Sequence, residues 1–109
     1  MLGDIAFPVY VMAKDCGEIT VFSNFEKMRW HFEPIDIEND EFEAWDAHGR
    51  ALALKVGSKK SEWLQVVETD QVLPTEQFDE IKAKAVPYRD PEPLMRVIAR
   101  KLGFLRADG

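Results

Sequence analysis

Apolar and polar positions change their period three times along this chain, and the changes divide it into strands, helices and turns. From Phe7 to Ala13 both alternating faces are apolar, the pattern of a strand buried on two sides. Lys14-Asp15-Cys16-Gly17 reads as a turn with Gly17 at the left-handed position, and Glu18–Phe22 returns as a β-branched partner strand. Ser23 with Glu26 three residues on is a capping-box signature, and it opens a helix of about ten residues. Phe25, Met28, Arg29 and Phe32 fall on one face of that helix, and Pro34 ends it by disfavouring helical geometry at Glu33. Ile35-Asp36-Ile37-Glu38 alternates strictly and predicts a strand, followed by an Asn39-Asp40 turn. Phe42–Asp46 alternates again, and Asp46-Ala47-His48-Gly49 predicts a second hairpin turn with Gly49 at its left-handed site. Ala51–Val56 and Trp63–Glu68 are further strands, separated by the polar loop Gly57–Ser61.

The last third switches to helical spacing. Pro74-Thr75 can start a helix that carries Phe78, Ile81 and Ala85 inward and stops before Pro87. Asp90-Pro91 is an N-cap and N1 pair for another, with Leu94, Val97, Ile98 and Leu102 as its apolar stripe and Gly103 closing it. Strands and helices cluster instead of alternating, which predicts an α+β fold. The expectation is one domain over residues 1–109 with a mainly antiparallel sheet of about five strands. One helix follows the first hairpin, and two C-terminal helices pack on one face. A chain of 109 residues suits a single core, which seven Phe, three Trp and two Tyr can fill.

No run approaches the roughly 18 apolar residues of a membrane span, and the first residues lack the basic start of a signal peptide. With Cys16 alone, an internal disulfide and a cysteine metal cage are both excluded. These features predict a cytoplasmic protein without a cofactor. A formal charge of −6 repels nucleic acid and anionic membrane, and neither is expected as a partner. That charge is uneven. Residues 1–50 hold eleven acidic and four basic side chains, while residues 51–109 are close to neutral.

The chain contains no glycine-rich phosphate loop, no His-Glu-x-x-His pair and no Gly-x-Ser-x-Gly elbow. Imidazole or thiol chemistry would have to use His31, His48 or Cys16. His31 reads as a boundary residue beside Trp30 and Phe32, while His48 and Cys16 sit in turns. A small hydrolase or transferase combining carboxylates with His31 or His48 is the enzymatic alternative. A homo-oligomer joined through a sheet edge or the last helix is a third. Asp36, Glu38 and Asp40 have the spacing of hard oxygen ligands but lack the glycine and the distal glutamate of a calcium loop. Lys55, Lys59, Lys60 and the basic residues near the C-terminus read as solvated faces.

Between Glu33 and Asp46 seven carboxylates occur with no Lys or Arg among them. They could simply keep edge strands soluble. The alternative is a docking surface for a basic protein, because clustered negative charge steers a cationic partner. The expected contact residues are Asp36, Glu38, Asp40, Glu41, Glu43 and Trp45, with Phe42 or Trp45 as aromatic anchor. That reading requires the carboxylates to share one side of the molecule and the indole of Trp45 to be reachable.

Tyr10–Ile19, taken with Glu43–Arg50, resembles segments of small uncharacterised bacterial proteins, and the size and acidity are similar to those of immunity proteins. The resemblance covers less than a fifth of the chain and implies a non-enzymatic inhibitor that covers a toxin's active site. It assigns no role to any individual residue.

Overall fold

The computed structural model describes residues 5–58 and 63–89. The helix expected after Asp90-Pro91 lies outside them, as do Lys59 and Lys60. The elements run β1 (Val9–Ala13), β2 (Ile19–Phe22), α1 (Phe25–His31), α2 (Pro34–Glu38) and β3 (Phe42–Trp45). β4 (Arg50–Val56), β5 (Leu64–Val72), α3 (Thr75–Lys84) and β6 (Val86–Pro87) complete the order. The fold is α+β, with a six-stranded mixed sheet in the order β5-β4-β3-β1-β2-β6. Every neighbouring pair is antiparallel except β2 and β6.

The expected hairpins form. Gly17 and Gly49 take positive φ angles of 75° and 83° at the two tight turns. Asp46 does more than the turn pattern suggested: its Oδ1 accepts the N–H groups of His48 at 2.8 Å and Arg50 at 3.0 Å, closing an Asx-type turn. Asn24, not Ser23, caps α1, with its side chain accepting the N–H of Lys27.

The alternation at residues 35–38 does not make a strand. Pro34 sits in the first turn of a helix, where its missing N–H would have no partner anyway. The Asn39 N–H donates to the Ile35 carbonyl at 3.0 Å, closing one helical turn. Ile37 is buried while Ile35 is 55% exposed, so only one of the two apolar positions faces the core. In a segment this short, i and i+2 spacing imitates a strand. The strand count also differs from about five, because Val86–Pro87 adds a short parallel edge against Thr20 and Val21.

The helices do not share one face. Residues directly opposite in a sheet point the same way, so Val9 with Phe22, and Val11 with Ala44 and Leu52, define one side. Met28 of α1, Phe32 and Ile37 of α2 join that side's core cluster. Tyr10, Trp45 and Ala51 alternate onto the other side. There Phe78 of α3 meets Tyr10 edge-on, with ring centroids 5.4 Å apart. α1 and α2 therefore cover one face and α3 the other. For α1 and α3 sequence spacing identified the apolar stripe without identifying the sheet face that receives it.

β5 is longer than its alternation suggested because it continues through an irregularity. Leu52 pairs with Glu68 but Arg50 pairs with Val72, so Ala51 stands against Thr69–Gln71 and β5 carries two extra residues there. The Thr69 hydroxyl donates to the Ala51 carbonyl at 2.7 Å, and Arg50 Nη1 donates to the Thr69 carbonyl at 2.9 Å. These two bonds hold the bulge against β4.

Candidate functional site

The acidic stretch becomes a helix, a turn and the whole of β3. β3 stays paired with β1 as far as Phe42 opposite Ala13, and the Lys14 N–H donates to the Glu41 carbonyl at 2.9 Å. Its pairing with β4 is confined to Ala44–Leu52 and Trp45–Ala51. The two strands therefore part at the Phe42 end of β3. A cleft of about 430 Å³ opens there, with Lys14, Asp40, Glu43, Trp45, Ala51 and Leu73 among its walls. A smaller opening of about 120 Å³ lies between α2 and the parted strands, lined by Ile37, Asp40, Phe42 and Leu54.

Asp40 belongs to both openings. It occupies the left-handed region at φ 55°, which aspartate tolerates better than most residues, and its carboxylate pairs with Lys14 Nζ at 3.0 Å. The pair is exposed, so it contributes little to stability. Glu43 is exposed on the rim of the larger cleft. Glu38 ends α2 and Glu41 precedes β3, both exposed. Among the described residues, Glu38, Glu41 and Glu43 have no cation within ion-pair distance. Asp36 is half-buried in α2, where its charge acts on His31. Its backbone carbonyl accepts the N–H of Glu41 at 3.2 Å, folding the segment back on itself.

Trp45 is not an exposed anchor. Only 6% of it is accessible, because its side chain lies beside Tyr10 and Ala51 on the face that α3 covers. A ring of carboxylates around a reachable indole is therefore absent. Phe42, the other expected anchor, is half-buried, stacked edge-on to Phe32 at 4.8 Å, and borders both openings. Asp46, the last carboxylate of the stretch, is 2% exposed and committed to its turn.

Neither His31 nor His48 lines either of these two openings. The His31 imidazole lies among the rings of Phe22, Phe32, Phe42 and Tyr88, with centroids 5.0–6.3 Å away. Although the residue keeps exposed area, these rings strip water from its charged form and hold its pKa below the ordinary 6.5. The Asp36 carboxylate opposes that shift without overcoming it. His48 is exposed in the β3–β4 turn, and Cys16 is exposed in the β1–β2 turn. Among the described residues, no group of three or more His, Cys, Asp or Glu side chains converges as a metal site would require.

A third cleft was not foreshadowed by the charge pattern. Glu26, Arg29 and Trp30 of α1 line a space of about 260 Å³ with Trp63, the residue before β5. Its one sequence signal was Arg29, a charged residue on the apolar face of a helix.

No helix of the described residues is long and apolar enough to cross a membrane. Set beside known proteins, the chain matches no family model, no curated protein and no solved structure.

Proposed function

We propose that the chain is a non-enzymatic binding module whose α2–β3 segment docks on a basic protein, in the manner of an inhibitor or immunity-type protein. One observation carries the reading: Glu38, Glu41 and Glu43 lie exposed within six residues with no ion-pair partner among the described residues, and Glu43 lines the cleft that Asp40 borders. Like charges held together on the isolated fold repel one another. Opposite a cationic partner they raise the association rate and fix its orientation. Trp45, Ala51 and Leu73 line the larger cleft together with Glu43 and the Lys14–Asp40 pair, so the stem of a partner's lysine or arginine would meet apolar wall and its head the unpaired carboxylate of Glu43. Burial of Trp45 removes the reachable indole, and Glu43, opposite Met12, turns to the α3 face while Glu38 ends α2 on the other. The proposal therefore rests on charge around the α2–β3 turn and on an anchor supplied by the partner.

The test is affinity capture from the source cells with wild type and with Glu38→Lys/Glu41→Lys/Glu43→Lys as parallel baits, each eluate identified by mass spectrometry. All three positions are exposed, so the variant should fold. A basic protein held by wild type and lost from the variant supports the proposal. Identical eluates from the two baits refute it.

β5 favours a second reading, self-association. It is a nine-residue strand at the edge of the described sheet, it contains no proline, and Val67 and Val72 are exposed on it. Sedimentation that finds only monomer at high concentration would remove that reading.

A further inference from the structure

The cleft beside α1 has features that neither the fold nor the docking proposal explains. Glu26, Arg29 and Trp30 stand at i, i+3 and i+4, so one helix face presents all three. Trp63 closes the space from the opposite side; its carbonyl accepts the Gly57 N–H, and its ring packs on the core cluster. The Arg29 side chain makes no ion pair or hydrogen bond among the described residues, and its Nε is sealed from solvent without an acceptor. Buried donors are rarely left so, because the desolvation is uncompensated. Glu26 stands one turn away and carries the opposite charge, yet it does not pair with Arg29. The corresponding Asp79 and Lys82 of α3 do pair, at 3.3 Å. Guanidinium and carboxylate thus stand unpaired with each other in a cleft that two half-buried indoles also line.

We propose that this cleft binds a free α-amino acid with an aromatic side chain. The ligand carboxylate accepts from the Arg29 Nη groups, since Nε is sealed from solvent, and the Glu26 carboxylate accepts from the ligand ammonium. The ligand ring lies against Trp30 and Trp63. A simple anion would meet repulsion from Glu26 and from the net charge of −6, and a simple cation would meet Arg29. A zwitterion satisfies both groups at once. Only a free amino acid carries both charges on one carbon, so an internal peptide segment does not fit. A space of about 260 Å³ lies just below the roughly 300–1,000 Å³ of common ligand pockets, which limits the ligand to about one ring on a short chain.

The experiment is a titration of the ¹⁵N-labelled protein followed by NMR, reading the three indole N–H signals and the Arg29 Nε–H. The probes are L-phenylalanine, 3-phenylpropionate (no amine) and phenethylamine (no carboxylate). L-phenylalanine should shift the Trp30 and Trp63 indoles saturably and leave Trp45 still. Each truncated probe should bind at least about tenfold more weakly, as expected when a charged partner is left unmatched. Arg29→Gln should abolish saturation, and Glu26→Gln should weaken L-phenylalanine while leaving 3-phenylpropionate no weaker. Absence of a saturable shift at millimolar L-phenylalanine overturns the proposal. So does equal binding of the three probes to wild type, which needs no variant to fold and would reduce the site to a surface for rings.

Discussion

Replacing Gly49 by alanine loads the β3–β4 turn with two separable costs. The first is conformational: φ at Gly49 is +83°, where a Cβ costs about 1–2 kcal/mol. The second is steric. The added Cβ would stand 3.1 Å from both Cγ and Cδ2 of Phe78, a buried ring on α3 with little room to retreat. Overpacking of this kind costs about 1–3 kcal/mol, for a total of about 2–5 kcal/mol. Gly17 is the internal control, since it has φ +75° and a Cβ added there would meet nothing within 4 Å. Gly17→Ala should therefore lose only the conformational part, about 1–2 kcal/mol. Urea unfolding of both variants followed by far-UV circular dichroism gives the difference. In a Phe78→Ala background the steric part should vanish, bringing Gly49→Ala down to the Gly17→Ala value. If the two glycine variants already match in the wild-type background, α3 does not lie over the turn, and the placement of helices on both faces is wrong.

Other expectations follow from single contacts. Asp46→Ala strands two N–H groups and should cost about 2–4 kcal/mol, whereas Asp46→Asn keeps an oxygen acceptor and should cost about 1 kcal/mol; equal losses in urea would deny the turn its cap. Ile37→Ala should cost about 2–4 kcal/mol and the exposed Ile35→Ala less than about 0.5 kcal/mol, while equal costs would restore the strand reading of this segment. His31 has a folded-state pKa below 6.5, so the unfolded chain takes up its proton first on acidification. Its contribution to stability is therefore whole above pH 6.5 and declines as the pH falls through 6.5 toward the folded value. Urea midpoints measured across that window should drop more steeply for wild type than for His31→Gln. Asp36→Asn should lower the His31 pKa further in an NMR titration, and a rise would contradict the stated causes.

The elements that were legible in the sequence are those whose signals are local and redundant. β1 and β2 combine apolar runs with a glycine turn, and α3 combines a proline start with Phe78 and Ile81 at helical spacing. Where one signal stood alone it misled. Four alternating residues after Pro34 fit a strand and a single helical turn equally well, and the proline that ends α1 also begins α2. Trp45 looked like an anchor because its neighbours are acidic. Its burial depends on Tyr10, Ala51 and α3, none of which its acidic neighbours reveal. The cleft at Arg29 likewise needs Trp63, 34 residues away, and no pattern along the chain links the two.

The central claim is that the α2–β3 carboxylates steer a cationic protein. Its most direct test is the association rate constant with the captured partner, measured by stopped flow over rising salt. For wild type the rate should fall steeply, by about tenfold or more between low and physiological ionic strength. For Glu38→Lys/Glu41→Lys/Glu43→Lys it should be slow and nearly flat. Coincident rates for the two proteins at every salt concentration would contradict the account.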